Sequence, residues 1–204
     1  MRSRFLEQKE IKKIKRFMGV DWLPFQVSLE TGLRIGDVAK LKWNDLTGNV
    51  LSFIAQKTGK AGKSRLSSAT VKALLASKRA PVWLFPAPRD ITRHISRQLL
   101  WKRLKSACLA VGVPADGASP HSFRKVFAVR EYHEHGAMAA QEALQHNDMT
   151  TTELYTLSDW TTGDNAEKPL LRADLGRILR YLEEHIFAKS LDFLQKKGKK
   201  VHEM

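Results

Sequence analysis

The sequence is short of several things, and each shortage narrows the field. A single cysteine, Cys108, stands in 204 residues, which excludes an internal disulfide and suits a reducing, cytoplasmic setting. Cys108 falls on the apolar stripe of an expected helix, where a thiol serves as a small buried hydrophobe. No run of about 18 apolar residues occurs, so nothing is expected to span a bilayer. The opening MRSRFLEQKEIKKIKRF is charged throughout and lacks the apolar core of a secretory signal. Acidic residues are scarce, with 21 Asp and Glu against 35 Lys and Arg, a formal charge of +14. There is no internal repeat and no linker long enough to divide the chain.

What is present fits a soluble globular chain, with 43% hydrophobic residues and enough length for a proper core. The basic excess favours a polyanionic partner, because each phosphate contact releases counterions. Nucleic acid is the first candidate; a membrane surface, or a basic protein with no such partner, are the alternatives that charge alone leaves open.

Periodicity predicts an α+β fold, mainly helical with a small antiparallel sheet or hairpin. Residues 5–18 read as an amphipathic helix with Phe5, Ile11, Ile14 and Phe17 or Met18 on one side. A second apolar segment covers 22–30, Thr31-Gly32 breaks it, and a helix starts near Ile35. Residues 49–56 alternate as a strand, with Leu51, Phe53 and Ala55 on one face. A long basic tip, 58–64, then leads to a return strand near Arg65 to Ser67. Helices are expected at 69–79, 91–111, 121–135, 137–145 and 150–157, with 112–120 as the clearest loop. A last apolar-striped helix covers 171–195, followed by a basic tail.

Six residues in this order carry the chemistry: Arg34, Lys57, His121, Arg124, His146 and Tyr155. Five can carry or share positive charge, and the sixth is a phenol that can attack phosphorus. A phosphodiester under attack spreads negative charge over its oxygens and needs donors placed in advance. Each residue alone has a plainer reading. Arg34 and Lys57 suit a solvated surface, His121 after Pro120 could begin a helix, and Arg124 could pair with Glu131. His146 could cap a helix C-terminus, and Tyr155 could be a half-buried aromatic.

Other patterns are weaker. GKAGKS imitates a phosphate loop, but the glycine required five positions before Gly62 is replaced by Lys57. His133-Glu134-His135 imitates a metal cluster, yet histidines two apart on a helix diverge, so no metal site is expected. The five tryptophans, Trp22, Trp43, Trp83, Trp101 and Trp160, are scattered in a way that suits packing better than base stacking.

Taken together, the motifs resemble those of the tyrosine recombinases, the phage integrase family, from about residue 22 to 157. TGLRIGDVAKLKW (31–43) resembles the first arginine box, with Arg34 as its arginine and Asp37 as the supporting acid. QKTGK (56–60) resembles the hairpin segment of the catalytic Lys57. HSFRKVFA (121–128) resembles the His-x-x-Arg box of His121 and Arg124. LQHNDMTTTELYTL (144–157) resembles the last box, with His146 nine residues before Tyr155. Two departures occur: Gln145 stands where the family has glycine, and Val126 where threonine or serine is common.

The resemblance implies a site-specific recombinase that cleaves and rejoins double-stranded DNA through a 3′-phosphotyrosyl link, with neither metal, ATP nor other cofactor. Lys60, Lys63 and Arg65 on the hairpin are the expected further DNA contacts. Residues 1–160 would form the catalytic domain, without the N-terminal DNA-binding domain of most relatives. Residues 161–204 would form a helical extension and tail, whose segment 171–187 could join subunits in a tetramer on DNA. Two other functions share the fold: relaxation of supercoils by a type IB topoisomerase-like enzyme, and a DNA-binding accessory protein that does not recombine.

Overall fold

The computed structural model describes residues 3–57 and 59–144. Its first helix, α1 (Gln8–Met18), starts later than the pattern suggests because Arg4 ties the preceding chain down. Arg4 meets the Glu10 carboxylate at 2.8 Å and donates to the Pro114 carbonyl at 2.8 Å. Glu10 also reaches back to accept the Glu7 N–H at 2.9 Å, closing a capping box. Ile11 and Ile14 point into the core, and Met18, rather than the exposed Phe17, completes their face.

A short 3₁₀ turn (Gly19–Trp22) leads into α2 (Leu23–Thr31), which Gly32 ends in the left-handed conformation. The brief α3 (Ile35–Ala39) follows. Strands β1 (Leu46–Thr47), β2 (Val50–Ile54) and β3 (Ala61–Arg65) form an antiparallel sheet in that order. The face of Leu51, Phe53 and Ala55 is the inner one, with Leu51 and Ala55 buried and Phe53 half-buried.

The return strand corrects the sequence expectation. It starts at Ala61 rather than Arg65, so AGKSR is ladder and not loop. Pairing runs through backbone groups, and a strand with one wet face can be built of polar residues. Alternation therefore misses it.

A second correction concerns the expected helix at 91–111. The observed α5 (Arg97–Ala110) begins only after Ser96, whose hydroxyl accepts the Leu99 N–H at 3.1 Å. Upstream of Ser96 the backbone bonds elsewhere: Ile95 N–H donates to the Phe85 carbonyl at 2.8 Å, and Ala87 N–H to the Arg93 carbonyl at 2.8 Å. Between the sheet and that segment lies α4 (Ser68–Ala76), capped by Ser67. After the expected loop comes α6 (Pro120–Leu144), interrupted at Gly136, whose φ of 85° and ψ of 176° break the helical path.

Most of these elements share one core. Trp22, Phe25 and Phe123 meet there with ring centroids 5.1 to 5.8 Å apart, fastening α2 to α6. Each such pair contributes about 0.5–1.5 kcal/mol beyond its burial. Cys108 is fully buried, and that burial pushes its thiol pKa up. No helix among the described residues is long and apolar enough to cross a membrane. The expected helices at 150–157 and 171–195 and the basic tail lie outside the described residues.

Candidate active site

The turn after α2 fixes the first arginine. Thr31 donates its hydroxyl to the Val27 carbonyl at 2.7 Å and accepts the Leu33 N–H at 3.2 Å. Ser28 donates to the Leu33 carbonyl at 2.8 Å, and both hydroxyl residues are fully buried. Buried polar groups so satisfied hold one conformation, since breaking them leaves an orphan. Arg34 then caps α3, its carbonyl accepting the N–H groups of Asp37 at 2.8 Å and Val38 at 3.0 Å. Its backbone is thus anchored, while its guanidinium forms no side-chain hydrogen bond or ion pair among the described residues.

Asp37, one turn on, is only 8% exposed. One carboxylate oxygen faces the Gln56 N–H at 3.4 Å, and the other is buried with no hydrogen-bond partner. Asp37 so links the arginine turn to the loop that follows β2. Lys40 supports the same loop by donating to the Gln56 side-chain carbonyl at 3.0 Å. That loop closes on itself through Ala55 N–H to Lys60 carbonyl, 2.9 Å, and Gly59 N–H to Ala55 carbonyl, 2.8 Å. Lys57 stands at its tip, exposed.

The third contribution comes from the start of α6. Pro120 begins the helix, where a missing N–H costs nothing, and His121 and Arg124 fall one turn apart on one face. Arg124 is almost fully buried, at 3% exposure. Its guanidinium donates to the Gly32 carbonyl, at the C-terminus of α2, and to the Leu144 carbonyl at 2.6 Å. The alternative pairing with Glu131 does not form; Glu131 faces Arg130 at 3.6 Å and His135 at 3.2 Å.

His121 keeps an exposed edge, yet its pKa is pushed down from 6.5 to about 4. Loss of water against the cavity wall comes first, then the like charges of Arg124, Lys125 and Arg34. The imidazole is therefore neutral at pH 7.

Arg34, Asp37, Lys57, His121 and Arg124 all line one cavity of about 1080 Å³. Sequence separations of up to 90 residues between Arg34 and Arg124 collapse into this space because α2 and α6 pack together. His146 and Tyr155 lie outside the described residues. Lys60, Lys63 and Arg65 are exposed but do not line this cavity. Lys63 borders a separate hollow of about 650 Å³ over β2 and β3, which shares only Asp37 and Gln56 with the first.

Four residues of α5 enter the cavity wall unannounced by sequence: Arg97, Gln98, Trp101 and Lys102. Their i, i+4 spacing puts them on one helix face, but spacing does not say what that face meets. Trp101, read as a packing residue, is 46% exposed, whereas Trp22 is 2% exposed. The one group of described residues with metal-ligating atoms close together is Glu131, Glu134 and His135, at the surface and outside the cavity lining.

Comparison with known proteins agrees with this arrangement of elements. The model of the phage integrase family matches residues 4–161. Tyrosine recombinase XerD of Lacticaseibacillus casei is 32% identical over 145 residues, covering 65% of this chain and 48% of the relative. XerD of Rhizobium meliloti is 33% identical over 138 residues, 62% of this chain and 43% of the relative. The chain thus spans about half the length of the curated relatives it matches. Among solved structures, XerA recombinase superposes with a TM-score of 0.65 at 19% identity, over 90% of this chain and 64% of that one. A lambda integrase bound to DNA gives a TM-score of 0.66 at 20% identity, over 83% of this chain and 65% of that one. With the family model covering most of its length and the fold shared, the chain belongs to the phage integrase family.

Proposed function

We propose that this chain carries the catalytic part of a site-specific DNA recombinase, breaking and rejoining strands through a phosphotyrosyl link on Tyr155. The observation that supports it is the convergence of Arg34, Lys57, a neutral His121 and Arg124 on one cavity. In this reading Tyr155 attacks the scissile phosphate, its oxygen bonding to phosphorus as the bond to the 5′-oxygen breaks. A phenol of pKa ~10 is only about one-thousandth ionised at pH 7, so attack needs general-base help or a strongly positive pocket. His121 helps in proton transfer near the tyrosine. Arg34 and Arg124 hold the non-bridging oxygens through paired N–H donors. Lys57 protonates the leaving 5′-oxygen, and His146 donates to the phosphate. Charge stabilisation comes from protein cations, and the phosphotyrosyl bond keeps the energy needed to reseal the strand.

Asp37 supports the site from beneath, between the turn of Arg34 and the loop of Lys57. Lys60, Lys63 and Arg65 hold duplex phosphates beyond the cavity. Residues 1–160 act as the catalytic domain, and residues 161–204 as an extension that joins subunits through 171–187. A lambda integrase with the same fold, TM-score 0.64, is described as a tetramer bound to a Holliday junction, which supports assembly of this chain on DNA.

The test is covalent capture. Nicked suicide duplexes with randomised arms are incubated with wild type and Tyr155→Phe, and adducts are separated and sequenced. A wild-type adduct that disappears in the variant, with enriched arm sequences, is expected. An adduct that survives Tyr155→Phe, or none from wild type, overturns the proposal. Adducts without sequence preference, together with plasmid relaxation, would assign the chemistry to a topoisomerase instead.

A further inference from the structure

Binding a phosphate needs cations and N–H donors, and the cavity has these without α5. What α5 adds is different in kind. Arg97, Gln98, Trp101 and Lys102 face the cavity together, and the helix start behind them is capped by Ser96 with no acidic residue in its first turn. This wall is cationic with one large apolar plane in its middle.

That plane is fixed rather than loose. The Lys105 ammonium lies over the Trp101 ring, 5.5 Å from its centroid, and donates to the Ala115 carbonyl. A cation held on one ring face restrains the indole and confines stacking to the opposite face. Trp101 nevertheless remains 46% exposed. A rigid, half-exposed aromatic beside phosphate-binding cations is the combination by which proteins hold unpaired nucleotides.

We propose that Trp101 is a stacking platform for the base next to the scissile phosphate, with Arg97 and Lys102 on the adjoining phosphates. The inference rests on the proposed strand cleavage, and it adds a positioning role there. In a closed duplex both faces of a base are covered by its neighbours. Cleavage frees a strand end bearing the 5′-hydroxyl, and its first base can then leave the stack and meet the indole. Trp101 so keeps that end, or the incoming end that replaces it, beside the phosphotyrosyl group until resealing.

The test compares wild type, Trp101→Phe and Trp101→Ala binding to short oligothymidylate and to the matching duplex, followed by intrinsic fluorescence and by anisotropy of labelled DNA. Single strand should quench wild-type emission, and Trp101→Phe should remove that quench while keeping most of the affinity. Trp101→Ala should lose roughly tenfold in single-strand affinity, the usual size for one stacked base, with the duplex changed less than about twofold. Equal single-strand affinity in wild type and Trp101→Ala overturns the inference, as does an equal loss on both DNAs. Because Trp101 is half exposed, unchanged thermal melting of the variants is expected. If wild type still forms the Tyr155 adduct while Trp101→Ala binds single strand normally, only this inference falls. If wild type forms no adduct, the proposed function falls with it.

Discussion

Replacing Gly32 by alanine should damage this protein more than the same change at Gly112, although both residues have a φ of +67°. In that conformation any Cβ is strained, at about 1–2 kcal/mol. At Gly112 nothing lies within 4 Å of an added Cβ, so this is the whole expected cost. At Gly32 the new carbon would stand 2.4 Å from two ring carbons of Phe127. That ring is 4% exposed on α6 and cannot swing into solvent. Overpacking of this kind adds about 1–3 kcal/mol, which is large against the roughly 5–15 kcal/mol that holds a domain folded.

Urea titration of both variants and wild type, with unchanged slopes, measures the difference directly. A gap smaller than about 0.5 kcal/mol, the scatter of ordinary surface changes, would refute the packing argument. The same contact reaches the site, because the Gly32 carbonyl receives the Arg124 guanidinium. Gly32→Ala should therefore slow adduct formation even in buffer where the variant is fully folded. Adding Phe127→Leu should recover part of both losses, since the two positions touch and their effects cannot be additive. No recovery would mean that the strain lies elsewhere.

Two further outcomes concern pH. The imidazole of His121 should titrate at about 4 by NMR, below its ordinary 6.5. The unfolded chain then binds the proton first, so stability falls as pH drops from 6.5 towards 4. His121→Gln should flatten that limb, and a midpoint at or above 6.5 would contradict the loss of water and the cationic surroundings. Glu30 behaves as the opposite case: burial raises its pKa, but hydrogen bonds from Thr70, Ser67 and Gln26 outweigh this and lower it below 4.5. Its contribution is complete above 4.5 and is lost as pH falls through the folded value. Glu30→Gln should remove the acid-side loss. Ser67→Ala, which deletes both the α4 cap and a bond to Glu30, should cost about 1 kcal/mol or more in urea titration; no change would deny that Glu30 anchors the hairpin base.

The sequence spoke most clearly where chemistry repeats along the chain. Ile11 and Ile14 in α1, Leu100, Leu104 and Cys108 in α5, the Gly32 break and the alternation of β2 reflect single-element physics and are where expected, whereas Phe5 and Ile95 fall outside the helices. Elements stabilised by backbone pairing were illegible: β3 is AGKSR and has no alternation of apolar with polar residues, although its burial alternates. So was the true start of α5, because the apolar residues before Ser96 bury themselves without forming helix. Phe85 and Ile95 are 7% and 3% exposed in the irregular stretch upstream. For the site, residue types and order pointed to five side chains that share the cavity. Only packing could reveal that the polar face of α5 closes the same space. Nothing in one helix records which neighbour its polar side meets.

The way the arginines are held also bears on what the cavity can do. An arginine kept in place by a carboxylate is oriented but electrically spent, and a phosphate arriving beside that pair gains little. Among the described residues Arg124 is oriented by two backbone carbonyls, of Gly32 and Leu144. Arg34 is placed through its main chain, and its guanidinium is not engaged by any described side chain. Asp37 lines the same cavity; one of its oxygens accepts the Gln56 N–H at 3.4 Å, and the other is buried without a hydrogen-bond partner among the described residues. A unit charge about 4 Å from a phosphate oxygen is worth about 4 kcal/mol at an effective dielectric near ~20. That is comparable to the loss seen when one preorganised donor is removed from an oxyanion site, about 3–4 kcal/mol. Loss of water, and then the nearby charges of Arg124, Lys125 and Arg34, hold His121 in its neutral form. One arrangement of α2, α3 and α6 thus places arginine cations and a neutral imidazole on the same cavity.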